Sequence, residues 1–398
     1  MHVGQSPSRS TARLMIVLPL LASLGLSGCG STGFTDMASA MGTDMFAKQP
    51  KLAPLPVSIF VASTRRDDVR LGDVIADGGV HHSMVTVSVP PNHQPGIIET
   101  PTFGKPNPSK HFALTGGRAL TPERFSEDIA THLSGRVGSN RDVLIYVHGF
   151  NTSLDEARFR LAQIVADGRF GGVPVLFSWP SQSNLLSYVS AKERATASRD
   201  PLGQLLRDVA ATPGIGRVHI LAHSMGGWLT MEALRENAIA GQATLGGKLG
   251  EVMLAAPDID LAVFRQQVAR LGGGANISIF SSRDDKALSL SSRISGDRTR
   301  LGAVNPQDPK DRAALEGLGV KVYDISSFSS GFIGHGAYAD SADVIRRIGA
   351  QLGEPRKEDA TEVAIIRAPD EPEPAPQPAA STAAANPVET APLAAPVN

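Results

Sequence analysis

Short apolar, β-branched runs alternate with helix-length amphipathic stretches through the middle of this chain. Residues 57–63, 84–89, 142–147, 173–178, 217–222, 251–255, 277–281 and 320–324 read as strands. Between and after them, residues 153–169, 201–211, 227–237, 260–271 and 341–352 read as helices with one apolar face. This alternation predicts an α/β architecture, a mainly parallel sheet with helices on both faces. About 300 residues, 55–352, carry the pattern, enough for one large domain with a sizeable core. Neither an internal repeat nor a heptad stripe is visible.

The ends of the chain differ from this body. Arg9 and Arg13 precede an apolar core at residues 14–22, too short to span a bilayer as a helix. It leads to Leu26-Ser27-Gly28-Cys29, which resembles a bacterial lipobox, a signal cleaved before the cysteine with acylation of the thiol. Cys29 is the protein's one cysteine, so no internal disulfide can form, and lipidation accounts for an unpaired thiol in an exported chain. At roughly 0.8 kcal/mol per buried methylene, several acyl chains anchor a protein durably without a membrane-spanning helix. The expected organisation is therefore a signal peptide at 1–28, a flexible tether at 29–54, the body at 55–352, and a tail at 353–398. The tail is rich in Pro, Ala and acids and cannot bury enough apolar surface to offset ordering entropy. The expected location is the cell envelope, lipid-anchored. Gly30 after Cys29, where an aspartate retains some lipoproteins at the inner membrane, favours the outer membrane facing the periplasm.

Charge removes one class of function. Residues 1–28 contain two arginines and no acid, so the formal net charge of −1 becomes −3 after cleavage. Basic and acidic residues are interspersed, which gives no electrostatic reason to expect nucleic acid or a polybasic membrane contact. The expected partners are a small-molecule or lipid ester and the membrane, through the anchor.

Candidate chemistry centres on Leu221-Ala222-His223-Ser224-Met225-Gly226-Gly227, which joins an apolar strand to a helix. A serine flanked at two positions by small residues on such a turn resembles the nucleophile elbow of α/β-hydrolases, with Ala222 where glycine is usual. The following helix aims its N-terminal N–H groups and positive dipole end at charge developing beside Ser224. His148-Gly149-Phe150-Asn151 closes the 142–147 strand where that fold carries its oxyanion loop. The N–H groups of Phe150 and Met225 would form a two-donor hole. Trp179, after the next strand, could line a pocket or cover the core.

An activated serine needs a base, and the base an orienting carboxylate. In this fold the chain order is serine, acid, histidine. His335 is the single histidine C-terminal to Ser224 and lies in a glycine-rich loop. The acid should follow the 277–281 strand, where Asp284 and Asp285 are adjacent and Asp285 is favoured. Asp258 and Asp260 are fallbacks, Asp260 being better placed to cap a helix. His223 adjoins the nucleophile and should point away from the base's place. His81, His82 and His93 lack the helical spacing of a zinc site, so neither metal nor cofactor is expected.

Taken together these pieces resemble the bacterial α/β-hydrolases long catalogued as a domain family of unknown function, related to esterases and lipases. Matching segments are Val61-Ala62-Ser63-Thr64-Arg65, Val87-Ser88-Val89-Pro90 with His93 and Gly96, and Val147-His148-Gly149-Phe150-Asn151. Phe177-Ser178-Trp179-Pro180-Ser181, Ala222-His223-Ser224-Met225-Gly226, Ala256-Pro257-Asp258-Ile259-Asp260, Asp285-Lys286-Ala287-Leu288 and His335 continue the match in order. The resemblance implies the α/β-hydrolase fold and puts Ser224, Asp285 and His335 on triad positions. The expected activity is a serine hydrolase, a carboxylic esterase first and an amide or thioester hydrolase second. The rival expectation is a non-catalytic envelope lipoprotein that uses the fold for binding. Residues 181–200 or 290–318 could cover the pocket.

Overall fold

The computed structural model describes residues 52–65, 79–181, 188–272, 276–328 and 335–352, and the backbone of 362–365. The signal segment, Cys29, nearly all of the expected tether and most of the tail lie outside these residues, as do residues 330–334 before His335.

The described residues form one ten-stranded sheet. In chain order its strands are β1 (Leu55–Ser63), β2 (His81–Val89), β3 (Ala113–Leu120), β4 (Val143–Val147) and β5 (Val173–Ser178). They continue as β6 (Val218–His223), β7 (Leu249–Ala255), β8 (Asn276–Ser281), β9 (Val320–Asp324) and β10 (Glu362–Ile365). The spatial order is β10-β9-β8-β7-β6-β4-β5-β1-β2-β3. Every neighbouring pair from β1 to β10 is parallel, while β2 and β3 add an antiparallel edge. This is the mostly parallel, helix-covered sheet that the apolar runs predicted.

The uninterrupted apolarity of β4 and β5 has a direct cause, since every residue of both strands is buried. Side chains alternate between faces at period two. Val143, Ile145 and Val147 enter one core, together with residues of α1 (Pro122–Leu133), α4 (Arg199–Ala211), α5 (Met225–Ile239) and α6 (Leu261–Leu271). Leu144 and Tyr146 enter the other, against α2 (Leu154–Asp167) and α10 (Ala342–Gln351).

Several elements exceed the sequence expectation. β3 contains Gly116-Gly117 and exposes most of its length, so it has no apolar pattern to read and exists through pairing with β2. α1 does carry a signal: Thr121 caps its N-terminus by accepting from the Arg124 N–H, and Phe125, Ile129 and Leu133 repeat at four-residue spacing on its buried face. The short helices α3 (Tyr188–Ala197), α7 (Lys286–Ile294), α8 (Pro309–Leu315) and α9 (Ala337–Asp340) complete the fold. β10 falls within the expected tail: four residues add to the sheet beside β9, so ordered pairing continues past Leu352.

Register places the chemistry. Val147 sits opposite Phe177 on one side and Ala222 on the other, and His223 pairs with Ala255, which pairs with Phe280. The residues just beyond β4, β5, β6, β7 and β8 therefore lie at one level, along the carboxyl edge of a parallel sheet. Open α/β sheets gather ligands at that edge.

Candidate active site

At the end of β6 the chain must reverse into α5 within one residue. Ser224 takes φ 53° and ψ −123°, a conformation that L-residues avoid and that costs about 1–3 kcal/mol. The surroundings impose it. The Ser224 N–H donates to the Ala255 carbonyl at 2.9 Å, and its own carbonyl accepts from the Gly227 N–H at 2.9 Å and the Asp258 N–H at 3.1 Å. Gly226 is obligatory, because a Cβ there would collide with the backbone carbonyls of His148 and Val147. Ala222 is fully buried, and its methyl is accommodated. Met225 is the first residue of α5, so its N–H has no intrahelical acceptor and lies at the positive end of the helix dipole.

The loop after β4 comes against this turn. A Cβ on Gly149 would stand 3.0 Å from the Ser224 Cβ and 2.7 Å from His223 Nδ1, so only glycine lets the loop approach so closely. Phe150 follows, its ring edge-on to Tyr188 of α3 at 6.0 Å between centroids. Trp179 is fully buried, stacked on His148 at 5.4 Å, with its indole N–H donating to the His148 carbonyl at 2.8 Å. It therefore covers the core and holds the loop from beneath.

Asp285 is fully buried and has two engagements. Oδ1 caps α7 by accepting from the Leu288 N–H at 3.0 Å, while Oδ2 lies 2.6 Å from His335 Nδ1 across 50 residues of chain. With Nδ1 donating to this carboxylate, the lone pair of His335 is on Nε2. The competing acids are committed elsewhere. Asp284 is exposed and near Arg283, and Asp260 caps α6 through the Ala262 and Val263 N–H groups. Asp258 accepts from Tyr188 and Ser291 hydroxyls, each at 2.6 Å, beside Arg300 at 3.4 Å. That cluster joins α3, within residues 181–200, and α7, whose last turn enters residues 290–318, to the residue whose N–H holds the Ser224 carbonyl.

His223 is not remote from the base, contrary to the sequence expectation. Its ring packs 4.6 Å from the His335 ring and 4.6 Å from Tyr338, on which it stacks. Its Nε2–H donates to the His335 carbonyl at 3.1 Å. Burial, and then the neighbouring His335, push its pKa well below the ordinary histidine range, so it works as a neutral donor. Its place next to the nucleophile alone suggested a side chain turned away from the base's place; what brings the two rings together is the position of His335, just ahead of α9, against the end of β6.

The other histidines sit apart. His93 bridges Glu99 at 2.9 Å and Asp167 at 2.8 Å. Burial opposes its charged form, but hydrogen bonds to the two carboxylates outweigh it and raise the pKa. His82 packs against Phe125. Among the described residues no three His, Cys, Asp or Glu side chains are grouped to hold a metal ion.

The sequence profile of a family described as "alpha/beta hydrolase of unknown function (DUF900)" matches residues 122–353, more than half of the chain. The chain belongs to that family. The match spans the Ser224 turn, the loop after β4, Asp285 and His335. Among solved structures the chain is similar to a predicted CIB-like hydrolase from Thermoplasma acidophilum, at 13% identity over 54% of this chain and 86% of that one, TM-score 0.31. It is also similar to a hydrolase from Oleispira antarctica, at 12% identity over 61% and 89% of the two chains, TM-score 0.25. A third is brefeldin A esterase, a bacterial homologue of human hormone sensitive lipase, at 13% identity over 78% and 67%, TM-score 0.28. No curated protein sequence matches. The α/β-hydrolase architecture is thus given by the family and by the sheet order.

Proposed function

We propose that this family member is a serine hydrolase acting on carboxylic esters through Ser224, His335 and Asp285. The observation that carries the reading is the 2.6 Å contact of His335 Nδ1 with the buried Asp285 carboxylate, the His335 ring packing on His223, the residue before the strained Ser224 elbow. In the reaction Ser224 Oγ attacks the ester carbonyl carbon as His335 Nε2 takes its proton. The carbonyl oxygen becomes an oxyanion, received by the N–H groups of Met225 and Phe150. Collapse expels the alcohol, protonated by His335, and leaves an acyl-serine. Water, deprotonated by His335, then releases the acid. Each oxyanion donor is worth about 3 kcal/mol of transition-state stabilisation. Ester is preferred to amide or thioester by analogy with other enzymes of this architecture.

The same proposal places the protein on the cell envelope, with residues 1–28 removed, Cys29 acylated, and the body held off an outer membrane by the tether. Among the described residues no helix is long and apolar enough to cross a membrane. A lipid anchor supplies attachment without one.

Labelling the full-length protein with a fluorophosphonate, beside Ser224→Ala, tests the reading. The wild type should label and the variant should not. A folded wild type that stays unlabelled would favour a binding lipoprotein over an enzyme.

A further inference from the structure

The oxyanion loop raises a question the triad does not answer: what turns the Phe150 N–H toward substrate. In a trans peptide the C=O and the following N–H point in opposite directions, and the described chain has no cis bonds. Fixing the Gly149 carbonyl therefore fixes the Phe150 N–H. That carbonyl is fixed by His148, whose Nδ1 lies 2.9 Å from the Gly149 oxygen. A carbonyl only accepts, so the contact requires the proton to be on Nδ1.

The other ring nitrogen agrees. His148 Nε2 meets Arg65 Nη2 at 3.1 Å and the Trp179 backbone N–H at 3.2 Å, with the Ser178 hydroxyl at 3.3 Å. A guanidinium and an amide can only donate, so Nε2 must carry the lone pair. Arg65 is itself fixed: Nε donates to Ser178 Oγ at 2.8 Å, and Nη2 donates to the Thr152 carbonyl at 2.7 Å and Ser181 Oγ at 3.2 Å. Its guanidinium thus ties the end of β1 to both ends of the loop that contains Gly149 and Phe150. The His148 ring is fully buried and stacked on the parallel face of Trp179, and a flip would break the hydrogen bonds of both ring nitrogens.

We infer that Arg65 and His148 form a positioning relay: Arg65 dictates the tautomer of His148, and His148 turns the Gly149–Phe150 peptide so that its N–H faces the oxyanion. Neither side chain touches substrate, and the relay rests on the serine-hydrolase reading above. Burial, with the nearby Arg65 cation, lowers the His148 pKa to about 3, so the ring stays neutral at any pH at which an ester hydrolase operates. The relay is therefore a permanent setting.

The test uses the full-length protein and p-nitrophenyl butyrate, with fluorophosphonate labelling of Ser224 in the same samples. His148→Leu fills the ring's place but cannot donate, and kcat should fall about 10²-fold while KM holds. His148→Asn, whose side-chain nitrogen reproduces Nδ1, should recover most of that loss. Arg65→Met, which removes the orienting partner, should cost about 10-fold or more in kcat. Phenylboronic acid, which mimics the tetrahedral state, should lose affinity in His148→Leu in parallel with kcat, a readout that general loosening would not single out. Histidine-selective nitrogen NMR of the wild type should find a neutral His148 protonated on Nδ1, independently of how any variant folds. A His148 proton on Nε2, or a folded His148→Leu with wild-type kcat and a labelled Ser224, would overturn the relay and leave the nucleophile assignment standing. An unlabelled Ser224 in the wild type would instead overturn the serine-hydrolase reading, and the relay would fall with it.

Discussion

Replacing Asp285 by Asn should separate catalysis from stability, because the two carboxylate oxygens do different work. Oδ1 caps α7 at 3.0 Å from the Leu288 N–H, and the amide oxygen of Asn can keep that bond. Oδ2 receives His335 Nδ1–H at 2.6 Å, and the amide NH₂ that replaces it is a donor. Two donors cannot share a hydrogen bond, so His335 must shift its proton to Nε2, the nitrogen that accepts from Ser224 in the proposed mechanism. The wrong tautomer is then locked in place, a defect worth about 10⁴ in kcat, or about 5.4 kcal/mol at 1.36 kcal/mol per decade. Stability should change by only about 1 kcal/mol, since the cap survives and a fully buried charge is removed. Asp258→Asn should do the reverse. It strips the buried Arg300 of its carboxylate and gives Tyr188 and Ser291 a poorer acceptor, so the fold should lose stability by about 3 kcal/mol. Urea denaturation beside kcat on p-nitrophenyl butyrate reads both quantities. If Asp285→Asn keeps kcat within about tenfold of wild type, the orienting acid has been misassigned. If a folded Asp258→Asn is the variant that loses activity, the acid is Asp258.

Two more measurements probe the strained elbow and the His93 clasp. Ser224→Gly should unfold at a higher denaturant concentration than Ser224→Ala, by about 1–3 kcal/mol, because φ 53° with ψ −123° strains alanine but not glycine. Equal midpoints would mean the elbow stores no strain. His93→Gln should destabilise the protein more at pH 6 than at pH 9, as followed by thermal unfolding. The folded-state pKa of His93 is raised, so its stabilisation is complete below the unfolded value and fades as pH climbs through the folded one. A loss that grows with pH would contradict the carboxylate clasp formed by Glu99 and Asp167.

Some of this was written locally. The run from Val143 to Val147 announces a doubly buried strand, because both faces of a parallel sheet are covered and each position must be apolar. The elbow is equally local, since a one-residue reversal into a helix admits only small neighbours, and Ala222 and Gly226 stand within two residues of Ser224. The order of serine, acid and histidine along the chain, with a single histidine after Ser224, singled out His335.

Tertiary structure decided the rest, because it depends on which residues meet across the carboxyl edge of the sheet. Chain order and the family resemblance favoured Asp285, but no local pattern shows which of Asp284, Asp285, Asp258 and Asp260 reaches His335. The choice comes from burial at the end of β8 and from Tyr188, Ser291 and Arg300 occupying Asp258. Arg65 lies 83 residues from His148, so its hold on the ring leaves no trace in local pattern. β3 shows the same division in the scaffold: its glycines carry no strand signal, and it forms because β2 offers an unpaired edge. Sequence alone determined which residue types the chemistry needs and in what order along the chain. Long-range packing determined which atoms face one another, since hydrogen bonds between distant segments are set by the register of the whole sheet.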